Sequence, residues 1–132
     1  MILENIHCLL QFDDRGNLLA LVSKSSGRNY IVKDGCSLFR LTMTEIIENR
    51  VMPGTLALTG DMAEQIDFIQ QSQCLEIDYR NLDGMPVTVK CTIGFMDEEI
   101  HWNILIENKT RFAVSEIEYP VLLFKPYLGL NA

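Results

Sequence analysis

The sequence is short of the groups that mark most recognisable active sites. It has two histidines, His7 and His101, and neither stands at a metal-ligand spacing from a cysteine. Its four cysteines, Cys8, Cys36, Cys74 and Cys91, form no Cys-x-x-Cys pair, so zinc-ribbon and thioredoxin-type motifs are excluded. Such cysteines in a strand-rich chain behave as small hydrophobes, and reduced, partly buried thiols are expected. Basic residues number 11 against 18 acidic ones and never run three together; with a net charge of −7 this speaks against nucleic acid as a partner. No apolar run approaches the ~20 residues of a membrane helix: Val121-Leu122-Leu123-Phe124 is bounded by Pro120 and by Lys125-Pro126. No basic head followed by an apolar core opens the chain, which leads to the expectation of a cytoplasmic protein without membrane attachment. Gly-x-Ser-x-Gly and a glycine loop ahead of a helix are both missing, so a hydrolase elbow and a phosphate cradle are excluded.

What is present is a globular strand former. An apolar fraction of 48% and a charged fraction of 22% are ordinary for a folded domain. At 132 residues, without repeat or linker, the chain is expected to be one domain, 1–132, burying roughly two thirds of its unfolded surface. The acidic surface is compatible with a neutral sugar but chiefly reports solubility.

Apolar residues recur with a period of two. From Glu4 to Ile31, apolar runs flank Asp13-Asp14-Arg15-Gly16-Asn17 and Lys24-Ser25-Ser26-Gly27. Gly16 and Gly27 are expected to supply positive φ, and Asp13, Asp14 and Asn17 to bond local backbone. Phe39/Leu41/Met43 alternate with Leu38/Arg40/Thr42 in the next strand. Glu45-Ile46-Ile47-Glu48-Asn49 reads equally as a helical turn or as more strand, ended by Met52-Pro53-Gly54. Asp61 with Glu64 has the spacing of a capping box, while Ile66/Phe68 alternation predicts a strand from about Gln65.

In the second half, three strands carry Leu75/Ile77/Tyr79, then Val87/Val89/Cys91/Ile93/Phe95, then Ile100/Trp102/Ile104/Ile106 on one apolar face. A three-residue loop Leu82-Asp83-Gly84, with Gly84 left-handed, would set Tyr79 opposite Val87, Ile77 opposite Val89 and Leu75 opposite Cys91. The following hairpin is expected to pair Phe95 with Ile100, Ile93 with Trp102 and Cys91 with Ile104. Cys74 shares the polar phase with Glu76, so it points away from Cys91 and cannot bridge to it. A last run from Phe112 to Phe124 meets Pro120, which requires a bulge, bend or edge. About eight or nine such strands are expected to form an all-β antiparallel β-sandwich.

Candidate chemistry is sparse. Paired carboxylates flank the bond in glycoside hydrolysis, but Asp13-Asp14 and Asp97-Glu98-Glu99 fall in turns with no apolar pocket around them. No catalytic residue, metal ligand or cofactor site is therefore assigned. His101 lies on the polar phase and His7 beside Cys8 lacks ligand partners. Trp102 has the inward phase and is read as core. Tyr30 and Tyr127, near turns, are the remaining candidates for ligand contact. Asn108-Lys109-Thr110 fits a glycosylation sequon, which a turn between strands also explains.

Four segments in order resemble the β-sandwich at the N-terminus of many bacterial glycoside-hydrolase-like proteins, the galactose-mutarotase-like or supersandwich class. They are the opening meander, Gly35-Cys36-Ser37-Leu38-Phe39-Arg40-Leu41, Ile100 to Asn108, and Val114-Ser115-Glu116-Ile117-Glu118-Tyr119-Pro120-Val121-Leu122. The resemblance implies a non-catalytic sandwich packing against a catalytic domain elsewhere in a longer parent chain, with a carbohydrate as the parent's substrate class. Domains of that class are about twice this length, implying a partial sandwich, and none of its catalytic residues maps here. Two other readings stand: a free carbohydrate-binding module, which requires aromatic rings exposed on one face, and a small cytosolic protein-interaction domain unrelated to sugars. The segment Tyr119 to Leu130, with eight large apolar or aromatic residues and one charge, adds the expectation that the isolated domain self-associates as a homodimer.

Overall fold

The computed structural model describes residues 1–31 and 37–122. Among them are eleven strands and one 3-10 turn, in three sheets whose pairings are all antiparallel. The all-β expectation holds.

The first sheet joins β1 (Ile2–Glu4), β2 (Cys8–Phe12) and β3 (Leu18–Ser23) in that order. Its β2–β3 turn closes as the sequence requires: Gly16 has φ +80°, and Asp13 Oδ1 accepts from the backbone N–H of Arg15 and of Asn17, both at 2.9 Å. Beyond β3, Gly27 at φ +72° donates to the Ser23 carbonyl at 2.7 Å, and Asn29 bridges back to Val22.

The second sheet has the order β10-β9-β8-β7, built from β7 (Ala63–Gln71), β8 (Cys74–Leu82), β9 (Val87–Met96) and β10 (Glu99–Asn108). Strand β7 begins two residues before the expected position and follows the 3-10 turn Gly60–Met62. Asp61 does not cap that turn; the N-cap position is Thr59, whose side chain makes no cap bond. The inward residues of β8 and β9 (Leu75, Ile77, Tyr79, Val87, Val89, Cys91 and Ile93) are all fully buried, as their period predicts. The β9–β10 pairs Phe95–Ile100, Ile93–Trp102 and Cys91–Ile104 form as expected.

The β8–β9 register needs a correction. Tyr79 lies opposite Val89, Ile77 opposite Cys91 and Leu75 opposite Ile93, two residues from the expected pairing. Gly84 is left-handed at φ +72°, but Asn81 and Asp83 also take positive φ. Leu82 turns fully into the core and the Asp83 N–H bonds the Met62 carbonyl at 2.9 Å. Burying Leu82 lengthens the connection, while the even shift keeps every side chain on its face.

The third sheet centres on β4 (Arg40–Ile47). It pairs with β11 (Phe112–Glu118) on one side, and with β6 (Leu56–Thr59) and the short β5 (Arg50–Val51) on the other. The 45–49 ambiguity resolves as strand: β4 runs to Ile47, and Glu48 and Asn49, at φ +52° and +63°, form a two-residue hairpin turn. Along β11 a bulge between Val114 and Glu116 shifts the register, so that Val114 lies opposite Met43 and Ile117 opposite Leu41; Phe112 and Val114 pack against the core, while Ile117 stays exposed. The strand ends at Glu118, ahead of a cis Tyr119-Pro120 bond.

Leu3, Leu10, Phe12 and Leu18 of the first sheet and Leu41, Met43 and Leu58 of the third join the inner face of β8 and β9 in one buried cluster. The Phe39 ring meets Tyr79 edge-on, with centroids 4.9 Å apart. This is the packing of a sandwich, and each fully buried large side chain contributes about 1.5–3 kcal/mol.

Candidate functional site

Three turns converge at one end of the second sheet. Asn5-Ile6-His7 is shaped by Asn5 Oδ1, which accepts from the backbone N–H of His7 and of Cys8 at 2.8 Å. The β7–β8 turn brings Gln73, and the β9–β10 turn, with Asp97 at φ +58°, brings Asp97 and Glu98. Together they line an open cleft of about 770 Å³. His7 Nε2 sits 3.4 Å from Glu98 Oε1, and His101 Nε2 lies 3.3 Å from Glu99 Oε2. The structure thus joins His7 to a carboxylate far away in sequence. The side chains of Glu98 and Glu99 are 81% and 78% exposed, however, and Ile6, the one apolar residue among the described residues lining the cleft, is itself 83% exposed. A carboxyl acting as general acid needs an apolar wall to favour its neutral form, and the described residues lining this cleft supply none.

A second depression, about 360 Å³, lies on the outer face of the same sheet between Asp78, Arg80, Thr88, Lys90, Glu107 and Lys109. Its charges are already engaged with neighbours: Arg80 with Asp67 at 3.2 Å and Asp78 at 3.7 Å, Lys90 with Glu76 at 3.8 Å, and Lys109 with Glu107 at 3.0 Å. Asp78 Oδ1 is shielded and has no hydrogen-bond partner among the described residues. The depression suits water or a small polar ligand held by hydrogen bonds, and no aromatic side chain is among the described residues that line it.

The sequence-named candidates are not brought together. Tyr30 is half-buried, its backbone N–H bonded to the Leu21 carbonyl at 2.9 Å, and it lines neither depression. Tyr127 lies outside the described residues. Trp102 packs inward against the core, its ring edge-on to Tyr119 at 6.2 Å. Among the described residues every Phe, Tyr and Trp is buried or half-buried. Asn108 uses both ends of its amide inside its own turn, donating to the Phe112 carbonyl at 2.7 Å and accepting from Thr110 Oγ1 at 2.6 Å. Of the sequon's two readings, that geometry matches the turn.

Cys8, Cys74 and Cys91 are free thiols. Burial pushes the Cys91 thiol up to about 12, against a bond from Tyr119 that favours the thiolate, so it is no nucleophile at neutral pH. Burial likewise raises Tyr79 and Tyr119, and it raises Cys8 against the opposing charge of Lys24. No group of three or more His, Cys, Asp or Glu side chains among the described residues is placed to hold a metal ion.

What sequence reading missed is an arm. Beyond Glu45 the β4–β5 hairpin leaves both neighbouring strands behind and exposes Ile46, Ile47 and Val51, at 43%, 45% and 71%. Ile46 faces Val51 on one side of the hairpin and Ile47 faces Arg50 on the other, so apolar groups project from both faces. The signal was the unalternated Ile46-Ile47 pair next to a polar turn.

No protein-family model matches the chain, and no curated protein is found to be similar to it. No helix among the described residues is long and apolar enough to cross a membrane.

Proposed function

We propose that this chain is a non-catalytic β-sandwich domain of a glycoside-hydrolase-like protein, and that its task is to pack against a catalytic domain lying outside the chain. The order of sequence segments resembling that class supports the reading, as does the antiparallel all-β architecture. The observation that carries it is the β4–β5 arm, where Ile46, Ile47 and Val51 stand in water on a two-stranded hairpin. A lone hairpin is marginal in water, and exposed apolar groups on both of its faces mark a surface that another polypeptide covers. The carboxylates of the open cleft, without an apolar wall, fit a domain that does no hydrolysis.

A free carbohydrate-binding module draws less support, since sugar stacking needs exposed rings and the described rings turn inward. The arm suits a protein-interaction domain unrelated to sugars equally well, so the test must separate the two. The reading expects the gene's open frame to continue past Ala132 into a catalytic barrel or toroid, and nitrophenyl glycosides to survive incubation with the isolated chain. A stop codon directly after Ala132, or turnover that persists through purification, overturns it.

A further inference from the structure

Strand β10 is an edge whose charge order matches its own reverse. Among the described residues its one strand partner is β9, leaving an edge ten residues long. Such an edge is a template for another strand unless it is blunted by proline, a bulge or repelling charge. β10 has no proline, and its ladder with β9 runs unbroken from Glu99 to Asn108.

The two-residue turn Asp97-Glu98 makes Met96 and Glu99 a mutually hydrogen-bonded pair, so the odd-numbered residues of β10 bond to β9. The N–H and C=O groups of Ile100, Trp102, Ile104, Ile106 and Asn108 therefore point to the free edge. A second copy pairing antiparallel about a two-fold axis must set even residues against even ones, which leaves few registers.

Centring on Asn103 would place Glu99 against Glu107 of the second copy. Centring on Ile104 places Glu99 against Lys109, and His101 against Glu107. Within one chain Glu99 already lies 3.3 Å from His101, and Glu107 lies 3.0 Å from Lys109. Glu99 and His101 open the strand as an acid followed by a base. Glu107 with Lys109, one residue past the strand's end but still bonded through its N–H to the Pro86 carbonyl, repeats that order, so antiparallel pairing lays these in alternating sign. The odd positions are the non-hydrogen-bonded pairs, where facing side chains come closest. In the same register Trp102 meets Ile106 of the second copy and Ile104 meets itself, extending the half-buried apolar face. Leu105, 65% exposed, gains Asn103 opposite and the second Leu105 diagonally.

We infer that β10 is a self-complementary edge through which two copies of this chain join their second sheets into one, in the register centred on Ile104. The inference concerns a surface other than the β4–β5 arm and does not depend on what covers that arm.

Sedimentation equilibrium of the intact chain is the test, with Glu99→Lys and Lys109→Glu made separately. Each reversal places like charges at both symmetric contacts and is expected to weaken dimerisation about tenfold or more. An equal mixture of the two variants regains opposite charges at both contacts and is expected to dimerise as tightly as the wild type, which also shows that both variants fold. A wild-type chain that is monomeric at ~100 μM, a dimer indifferent to both reversals, or a mixture no tighter than either variant alone overturns the proposal.

Discussion

The Tyr79 hydroxyl donates to the carbonyl oxygen of Gly16 at 3.4 Å, joining the middle of β8 to the β2–β3 turn across the sandwich. Both groups are buried, and a Cβ on Gly16 would collide with Tyr79 Oη. Gly60 guards the other side of the ring: a Cβ there would come within 2.6 Å of Tyr79 Cε1 and 2.8 Å of Ser37 Oγ. One large polar aromatic thus locks three chain segments, and two glycines make room for it.

Gly16→Ala should therefore destabilise the fold by about 2–4 kcal/mol, combining positive φ with overpacking. Gly27→Ala is the control, since Gly27 shares the positive φ but has open space around it, and should cost about 1 kcal/mol. Urea melts of the two variants measure the difference. Equal losses would mean that the Tyr79 contact does not constrain the turn.

Alkaline pH should unfold the protein through its buried acids. Cys91 rises from 9.0 to about 12 on folding, chiefly by burial, and Tyr79 and Tyr119 shift the same way. A group whose folded pKa is raised binds its proton longer in the native state, so its contribution is complete below the unfolded pKa and is lost as pH rises towards the folded one. Stability should thus decline from pH 9 upward, with at most ~1.4 kcal/mol per pH unit from each group. Cys91→Ala should flatten the first part of that decline between pH 9 and 10, as read from urea melts at fixed pH. An unchanged slope would assign the effect elsewhere.

Trp102→Ala should cost about 2–4 kcal/mol, somewhat under the value for a fully buried large aromatic because the ring is half-buried. A loss within ~0.5 kcal/mol would place the indole in solvent and reopen the sugar-platform reading.

Most of the fold was legible because strand faces follow parity. Val87 to Ile93 and Ile100 to Ile106 alternate cleanly, and the pairs expected from setting their apolar faces together, Phe95 with Ile100, Ile93 with Trp102 and Cys91 with Ile104, are the ones that form. The β8–β9 register was not legible, because Leu82 reads as a turn residue until the core claims it. Nor was the arm, whose adjacent Ile46 and Ile47 obey no period because neither face is buried. The candidate site was less legible still: Asn5-Ile6-His7 and Asp97-Glu98 are ninety residues apart, and only the stacking of turns at one sheet end brings them together.

Whether another polypeptide covers the β4–β5 arm can be read from amide hydrogen exchange. Exchange is compared between the isolated chain and the uninterrupted product of its gene. The amides of Ile46 to Val51 are expected to exchange quickly in the isolated chain and to become strongly protected in the longer protein, with the amides of β8 and β9 protected in both. Equal exchange at Ile46 to Val51 in the two proteins, or a gene product that stops at Ala132, would contradict it.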